Sequence, residues 1–561
     1  MTEIKITKPA VALIDLGTGT DRSLIPLGIG LIASYLNANL PDELDVELFM
    51  METDLEGLLQ EMEFRFRRPP LVVGLACYVW NFNGVRAFAR MLRRKWPSTL
   101  IVFGGPSVPM DSGELRSLFM KDKSLSLADN RPDIVVHMEG EITFYWIVKA
   151  LLTGHNLREV KGISMFDCEA GSLVTTEKRS RIEDFTQIPS PYLSGIFDSV
   201  LKRYRKFIAG ILWETNRGCP FKCSFCDWGN AAVNQVTKLD QDRVIEEIEW
   251  AARNGFEYVY CTDANYGINF KRDFEITRRI GQIKDRYGFP KTFVFNWTKN
   301  QSKNVIEIAD FFRSHGIHTN TTISTQSFNP KVSIATQRAN IRIEEYLKLK
   351  SAYHDRGLST YSELILGLPE ETCDSFIDGL EKSLSCRAYD QVMVYTANVL
   401  NNTQMKRDVP KYNIQTRKCN VGLNRRRFKV ERFGEDDIVV STNTMSVDEW
   451  KSCYCLAFLL LAFFNLRLAF YPLIYLKEYL GVRLTDVVKS IIDITSSRVT
   501  SYVVLAVAIG HIRSQAESIL SSHSSVGPTR QSEGVVFTPN EAVAFIASMN
   551  VRVFILNFIR F

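Results

Sequence analysis

The sequence predicts an α/β protein in three parts: an N-terminal doubly wound parallel sheet, a central partial (β/α)6 barrel and a C-terminal, mostly helical region. Three observations predict it. Short apolar runs alternate with helix-period segments from residue 10 to about residue 410. The runs end in glycine-bearing or polar turns, as strands of parallel sheets do. From about residue 448 the chain is apolar at helical spacing instead. The expected divisions are 1–152, a connector over 153–206, the barrel over 207–410 and the helical part over 411–561.

Length and composition bound the rest. A chain of 561 residues should form two or three domains, each with its own core. It is 45% apolar and 23% charged, the balance of a soluble globular protein. A net charge of +5 on this size gives no reason to expect a nucleic-acid partner. The N-terminus does not read as a signal peptide. The run Tyr454–Asn465 is too short to span a bilayer, so it reads as a buried core helix and no membrane span is expected. Eleven cysteines, an odd number without regular spacing outside one loop, do not read as a disulfide framework.

The first third repeats a strand-then-helix unit. Residues 10–15 read as a buried strand, followed by a polar turn with Gly17 and Thr18 and a helix from Pro26. Leu71–Ala76 is a strand ending in Cys77-Tyr78-Val79-Trp80-Asn81. Leu100–Phe103 ends in Gly104-Gly105-Pro106, and Ile134–His137 in Met138-Glu139-Gly140-Glu141. Ligands of such sheets bind outside the C-terminal strand ends, which carry these glycines. In the connector, Val160–Ser164 and Leu173–Thr176 read as a small hairpin, and Asp184–Tyr192 as a proline-marked linker.

The strand Phe207–Trp213 leads into Cys219-Pro-Phe-Lys-Cys223-Ser-Phe225-Cys226, three cysteines within eight residues on a loop at a strand end. Three thiolates at these spacings can hold three corners of a cubic iron–sulfur cluster and leave one iron open. With the oxygen-sensitive cluster that this loop suggests, a reducing cytoplasm is expected. A zinc knuckle would need a fourth ligand, and no His or Cys lies within thirty residues after Cys226. Unrelated buried thiols are the other alternative. Beyond the loop come a helix from Asp240 and strands at Tyr258–Thr262, Thr292–Trp297, His318–Thr325, Thr360–Leu366 and Val392–Thr396. With Phe207–Trp213 these make six βα units, a barrel open on one side.

The cysteine loop, with an aromatic residue before its last cysteine, resembles the signature of radical S-adenosylmethionine (SAM) enzymes. Other strand ends extend the resemblance: Ser324-Thr-Gln326-Ser, the later Arg338, Glu363-Leu-Ile-Leu-Gly-Leu-Pro-Glu-Glu-Thr372, and Val399–Met405 with Asn401 where proline is usual. Thr262-Asp263-Ala-Asn265 stands where the family has a motif near SAM's amino group, although it departs from the common Gly-Gly-Glu. The N-terminal turns resemble the cobalamin-binding domain fused to many such enzymes. The resemblance, over roughly residues 10–410, implies three cofactors. A 4Fe-4S cluster would be held by Cys219, Cys223 and Cys226. SAM would lie near Phe225, Asp263, Asn265, Ser324, Gln326 and Glu363. Cobalamin would lie near Gly17, Thr18, Tyr78, Trp80, Asn81, Gly104, Gly105, Pro106, Glu139 and Gly140. The domain lacks the Asp-x-His-x-x-Gly element by which some relatives offer cobalt a histidine, and His137 reads as a strand residue.

The implied activity is cobalamin-dependent radical SAM methyl transfer to an unactivated carbon of a small molecule or peptide, with a reductase or flavodoxin-type protein as electron donor. Radical oxidation, cyclisation or rearrangement with cobalamin as electron relay is the alternative, and a non-catalytic sensor a third. In the last third, Arg425–Arg432 reads as a solvated strand, a helix starts after the capping Ser446, Ser521–Pro528 is a loop, and Val551–Phe561 is an apolar tail.

Overall fold

The structure is a computed structural model. It describes residues 8–17, 23–50, 54–120, 130–167, 169–228, 235–299, 302–384, 391–420, 434–521 and 538–560. Thr18, the charge run 425–432, most of the loop after Ser521 and the last residue of the tail lie outside these.

The N-terminal strands are β1 (Ala10–Asp15), β2 (Ser23–Ile25), β3 (Asp45–Met50), β4 (Val72–Ala76), β5 (Leu100–Gly104), β6 (Ile134–Val136), β7 (Ile163–Asp167) and β8 (Ser172–Thr175). All but β2 form one sheet in the order β3-β1-β4-β5-β6-β7-β8. The first five are parallel, and β7 and β8 are antiparallel. The sheet is doubly wound because both faces of its strands are apolar. Val11 and Leu13 belong to the core under the helices Leu27–Asn39 and Glu141–Thr153. Ala10, Ala12 and Ile14, one residue out of phase, join the core under Leu55–Arg65, Phe82–Lys95 and Ser112–Phe119. Burying a side chain such as Leu13 contributes about 1.5–3 kcal/mol. The hairpin expected in the connector is β7–β8, and it extends this sheet.

The central strands are β9 (Ile208–Trp213), β10 (Asn216–Arg217), β11 (Thr237–Lys238), β12 (Tyr258–Cys261), β13 (Thr292–Val294), β14 (His318–Thr319), β15 (Thr321–Gln326), β16 (Thr360–Leu366) and β17 (Gln391–Thr396). They form two parallel arcs, β2-β9-β12-β13-β14 and β15-β16-β17. The strand expected over 318–325 is broken at Asn320. Its Oδ1 accepts from the Phe295 backbone N–H at 3.2 Å, taking the place of a ladder bond. The six expected strand positions are present, and β2 adds an unexpected seventh from the N-terminal part. β10 and β11 form a small antiparallel pair beside the cysteine loop.

After the barrel, β18 (Gln415–Asn420) and β19 (Glu435–Ser441) pair antiparallel. The β19 backbone is tied to the segment after β17 by Val399 N–H to Asp437 O and Val439 N–H to Ala397 O, both at 2.9 Å. Ser446 and Glu449 make the capping box that starts the helix Val447–Phe464. Apolar on every face from Cys453 onward, it is the centre of the C-terminal core, with Trp450 fully buried. The helix Val503–Leu520 is long and apolar enough, by length and composition, to cross a membrane. Its inner face, including Leu505, Ile509 and Ile512, packs in the same core.

Candidate active site

Two cavities open at the C-terminal ends of the two parallel sheets, and the cysteine loop runs between them. The barrel cavity, about 230 Å³, is lined by Cys219, Cys223 and Cys226 together with Phe225, Asn265, Lys299, Ser324, Gln326 and Glu363, among others. Five of the six residues expected near SAM are therefore in one place. The sixth, Asp263, is not. It is fully buried beneath the loop and accepts four hydrogen bonds, from Thr215 N–H (2.7 Å) and Oγ1, and from Asn216 N–H (3.1 Å) and Nδ2 (2.7 Å). Asp263 thus shapes the backbone leading into the cysteines instead of facing a ligand. The strand-end pattern carries no signal for this, because it does not tell which neighbouring side chain turns inward.

The thiols sit among donors. Asn265 Nδ2 donates to Cys219 Sγ at 3.2 Å and Arg338 Nη1 to Cys223 Sγ at 3.8 Å. Arg338 is fixed by Asn340 Oδ1 at 2.7 Å and by the Ser324 carbonyl. Burial, then the charge of Arg338, lowers the Lys299 pKa, while the three thiols pull it back up. Burial raises the Cys226 thiol. Among the described residues no three His, Cys, Asp or Glu side chains converge on a single ion. The thiols instead line the end of a cavity, which suits a polynuclear cluster and not a zinc knuckle.

The cavity also has unmet polar demand. Among the described residues, Asn265 Oδ1 and Gln326 Oε1 are buried without a protein partner. Gln326 holds φ +64°, at an irregularity in the β15–β16 ladder. Such orphan acceptors call for a ligand donor. Glu363 accepts from Ser324 Oγ and, at 3.4 Å, from Gln326 Nε2. Buried acceptors, one carboxylate and a buried ammonium match the amine, hydroxyls and carboxylate of SAM, so the residues present fit a cluster and SAM together.

The second cavity, about 390 Å³, lies over the N-terminal sheet. Gly104, Gly105, Pro106, Tyr78, Glu139 and Gly140 line it, as expected. Three other expected residues stand behind the wall. Trp80 stacks on Tyr78 (centroids 4.7 Å apart, planes at 6°). Asn81 is buried, its Oδ1 accepting from Tyr78 N–H at 2.8 Å and its Nδ2 donating to Ala76 O at 3.1 Å. Gly17, at φ +63°, closes a turn by donating to Asp15 Oδ1 at 2.7 Å. Gly105 has no alternative: at φ +119° its Cβ would sit 2.6 Å from the Cys77 carbonyl oxygen. His137 lines the cavity with Nε2 bonded to Ser164 Oγ at 2.8 Å, and burial lowers its pKa. Glycine turns and aliphatic walls make a surface that a broad, flat ligand can approach closely. That fits a corrin.

Residues the sequence reading passed over join the two cavities. Gly218, Asp227 and Trp228, flanking the cysteines, line the N-terminal cavity, and Trp228 lines both. Arg217 reaches Glu141 (2.9 Å) and Glu139 (3.4 Å) of the N-terminal part and Glu214 (2.9 Å) of its own. Burial alone would lower its pKa, but the three carboxylates outweigh that and hold it well above its ordinary value. A buried charge with this many partners fixes orientation. Only long-range packing reveals it.

Comparison with known proteins agrees with this geometry. The Radical SAM superfamily profile matches residues 213–382. The chain is 33% identical over 446 residues to the cobalamin-dependent radical SAM methyltransferase TokK of Streptomyces tokunonensis, covering 77% of this chain and 62% of that protein. It is 34% identical over 442 residues to the 2-(S-pantetheinyl)-carbapenam-3-carboxylate methyltransferase of Streptantibioticus cattleyicolor, with the same coverage. The chain thus spans about 62% of the length of these curated relatives. In fold it resembles the cobalamin-dependent SAM radical enzyme OxsB, solved with aqua-cobalamin and SAM (TM-score 0.59, 16% identity, 99% of this chain and 80% of that one). It also resembles the radical SAM methyltransferase TsrM of Kitasatospora setae, solved with cobalamin and a 4Fe-4S cluster (TM-score 0.54, 15% identity, 73% and 77%). Residues 213–382 are a radical SAM domain, set in the fold of the cobalamin-dependent radical SAM enzymes.

Proposed function

We propose that this protein is a cobalamin-dependent radical SAM methyltransferase that acts on an unactivated carbon of a small molecule. The observation that carries the reading is the meeting of two differently built cavities at Trp228. When bound, the cofactors supply electron transfer, hydrogen-atom abstraction and a transferable methyl group.

The chain's own residues divide the remaining work. Cys219, Cys223 and Cys226 hold the cluster, with Asn265 and Arg338 donating to two of the sulfurs. Lys299 offers a cation to a carboxylate, Asn265 Oδ1 and Gln326 Oε1 accept from an amine or hydroxyl, and Glu363 accepts from a ribose. Tyr78, the loop Gly104–Pro106, Glu139 and Gly140 bound the corrin cavity. Trp228 offers a flat apolar surface at the crossing, where a substrate would be held against both cofactors. Nine described cysteines are free thiols, in keeping with a reducing cytoplasm, and a reductase or flavodoxin-type protein would supply the electrons.

The relatives' names make a carbapenam thioether the first substrate to try. The test is anaerobic incubation of the reconstituted chain with 2-(S-pantetheinyl)-carbapenam-3-carboxylate, a one-electron reductant and SAM labelled in its methyl group. We expect a product heavier by one labelled methyl. A product that has lost hydrogen or isomerised without label overturns methyl transfer in favour of oxidation, cyclisation or rearrangement.

A further inference from the structure

One four-residue segment touches both cofactor sites. At its start, Asn402 reaches from the end of the barrel to the loop after β5. Its Nδ2 donates to the carbonyls of Pro106 and Val108, both at 2.9 Å, and its Oδ1 accepts from Met110 N–H at 3.0 Å. Asn402, Pro106, Val108 and Met110 all line the N-terminal cavity. At its end, Met405 N–H donates to Ser224 O at 2.7 Å, between Cys223 and Cys226. Between these contacts the segment is buried and hydrogen-bonded to itself. Thr403 is fully buried, gives its hydroxyl to Leu400 O at 2.8 Å, and caps the turn Gln404–Arg407. Met405 is fully buried in a small core against which Phe225 packs. Lys406 adds an ion pair to Glu114 of the N-terminal part at 3.4 Å.

We propose that Asn402 is a positioning residue, and that Asn402–Met405 is a strut fixing the corrin cavity's glycine loop relative to the cluster loop. The inference rests on the cofactor assignment above. Radical methyl transfer needs the hydrogen-abstracting and methyl-donating centres held in register over one carbon, and small misplacements there are costly. A side-chain amide suits the task. It meets two carbonyls and one N–H at once, which a carboxylate or an aliphatic residue of that size does not do. Among side chains on a single-carbon stem, only this amide pairs two N–H donors with a carbonyl acceptor; a hydroxyl or a neutral imidazole has one donor.

The test uses the reconstituted full chain and two variants, Asn402→Ala and Asn402→Asp. Iron and sulfide per chain report folding and cluster assembly. Hydroxocobalamin titration gives affinity. The relaxation enhancement of cob(II)alamin by the reduced cluster, read by pulsed electron paramagnetic resonance, reports whether their separation is single-valued. We expect both variants to keep wild-type iron, to bind hydroxocobalamin about tenfold more weakly, and to show a broadened spread of relaxation enhancement. Aspartate should fail as alanine does, because it presents an acceptor to two carbonyls. Wild-type affinity and a single enhancement in Asn402→Ala, or full rescue by Asn402→Asp, overturn the strut. Failure of the wild type itself to take up hydroxocobalamin would overturn the cofactor assignment instead.

Discussion

The two cavities are built on opposite principles. The barrel cavity is small and chemical: three thiols, an ammonium, a carboxylate and two amide oxygens without partners among the described residues, with the Arg338 guanidinium behind one thiol. The N-terminal cavity is larger and mostly apolar, with glycines at its turns and aliphatic walls, and on its lining Arg217 is paired with Glu139 and Glu141. In the first, specificity comes from polar groups that cost free energy until a ligand meets them. In the second it comes from shape, since a side chain at Gly105 would collide with the Cys77 backbone and push the turn out of place. The difference teaches where each half should be vulnerable: the barrel to loss of single functional groups, the N-terminal part to gain of single atoms.

The largest effect should follow Cys223→Ala. With two thiols left, reconstituted iron should fall from about four per chain to near zero, while hydroxocobalamin uptake stays at the wild-type level. Iron and sulfide determination beside a cobalamin titration checks both. If cobalamin uptake fell along with iron, the halves would not be independent and the contrast would fail.

The converse is Gly105→Ala, which adds one carbon to the other half. Its Cβ would sit 2.6 Å from the Cys77 carbonyl and 3.0 Å from the Cys77 nitrogen, at φ +119°. Backbone cannot yield as a side chain can, so the loop must move at a cost of about 1–3 kcal/mol. Hydroxocobalamin should bind up to about a hundredfold more weakly, with iron content unchanged. An alanine variant of wild-type cobalamin affinity would mean that the loop's shape does not define the site.

The same contrast explains how much was legible in the sequence. Thiol spacing and strand-end motifs are local, so Cys219, Cys223, Cys226, Asn265, Ser324, Gln326 and Glu363 could be read and are found together. The alternation of strands and helices is also local, and the doubly wound sheet and open barrel follow it. What was not legible depends on packing between distant segments. β2 is three residues long, too short to show a period, and finds its place only beside β9. Asn402 lies 296 residues from the carbonyl of Pro106 that it binds. Asp263, Trp80 and Asn81 sit at the right loop but turn away from the cavity, and a motif gives a residue's position without its rotamer.

The smallest effect separates the supports beneath the two cavities. Each rests on a buried carboxylate at a strand end. Asp263 accepts four hydrogen bonds under the cysteine loop, whereas among the described residues Asp15 accepts one, from Gly17. Burial pushes Asp263 from 3.8 up to about 7 against the pull of its donors, and Asp15 from 3.8 up to about 6. A carboxyl whose folded pKa is raised keeps a proton that the unfolded chain has released. Its stabilising contribution is full below about pH 4 and is lost as pH rises through the folded pKa. For Asp263 that window runs to about pH 7, and for Asp15 it closes nearer pH 6. The urea midpoint of the chain should therefore fall as pH rises from about 4 to about 7, with both carboxyls contributing up to about pH 6 and Asp263 alone above it. Asp263→Asn, neutral throughout, should lower the midpoint at every pH, because its amide presents donors to donors, and should flatten the upper part of the slope. Asp15→Asn should cost less, having one donor to offend, and flatten the lower part. A slope unchanged in both variants would place the titration elsewhere, and equal costs would mean that the polar cavity is no more tightly underpinned than the glycine one.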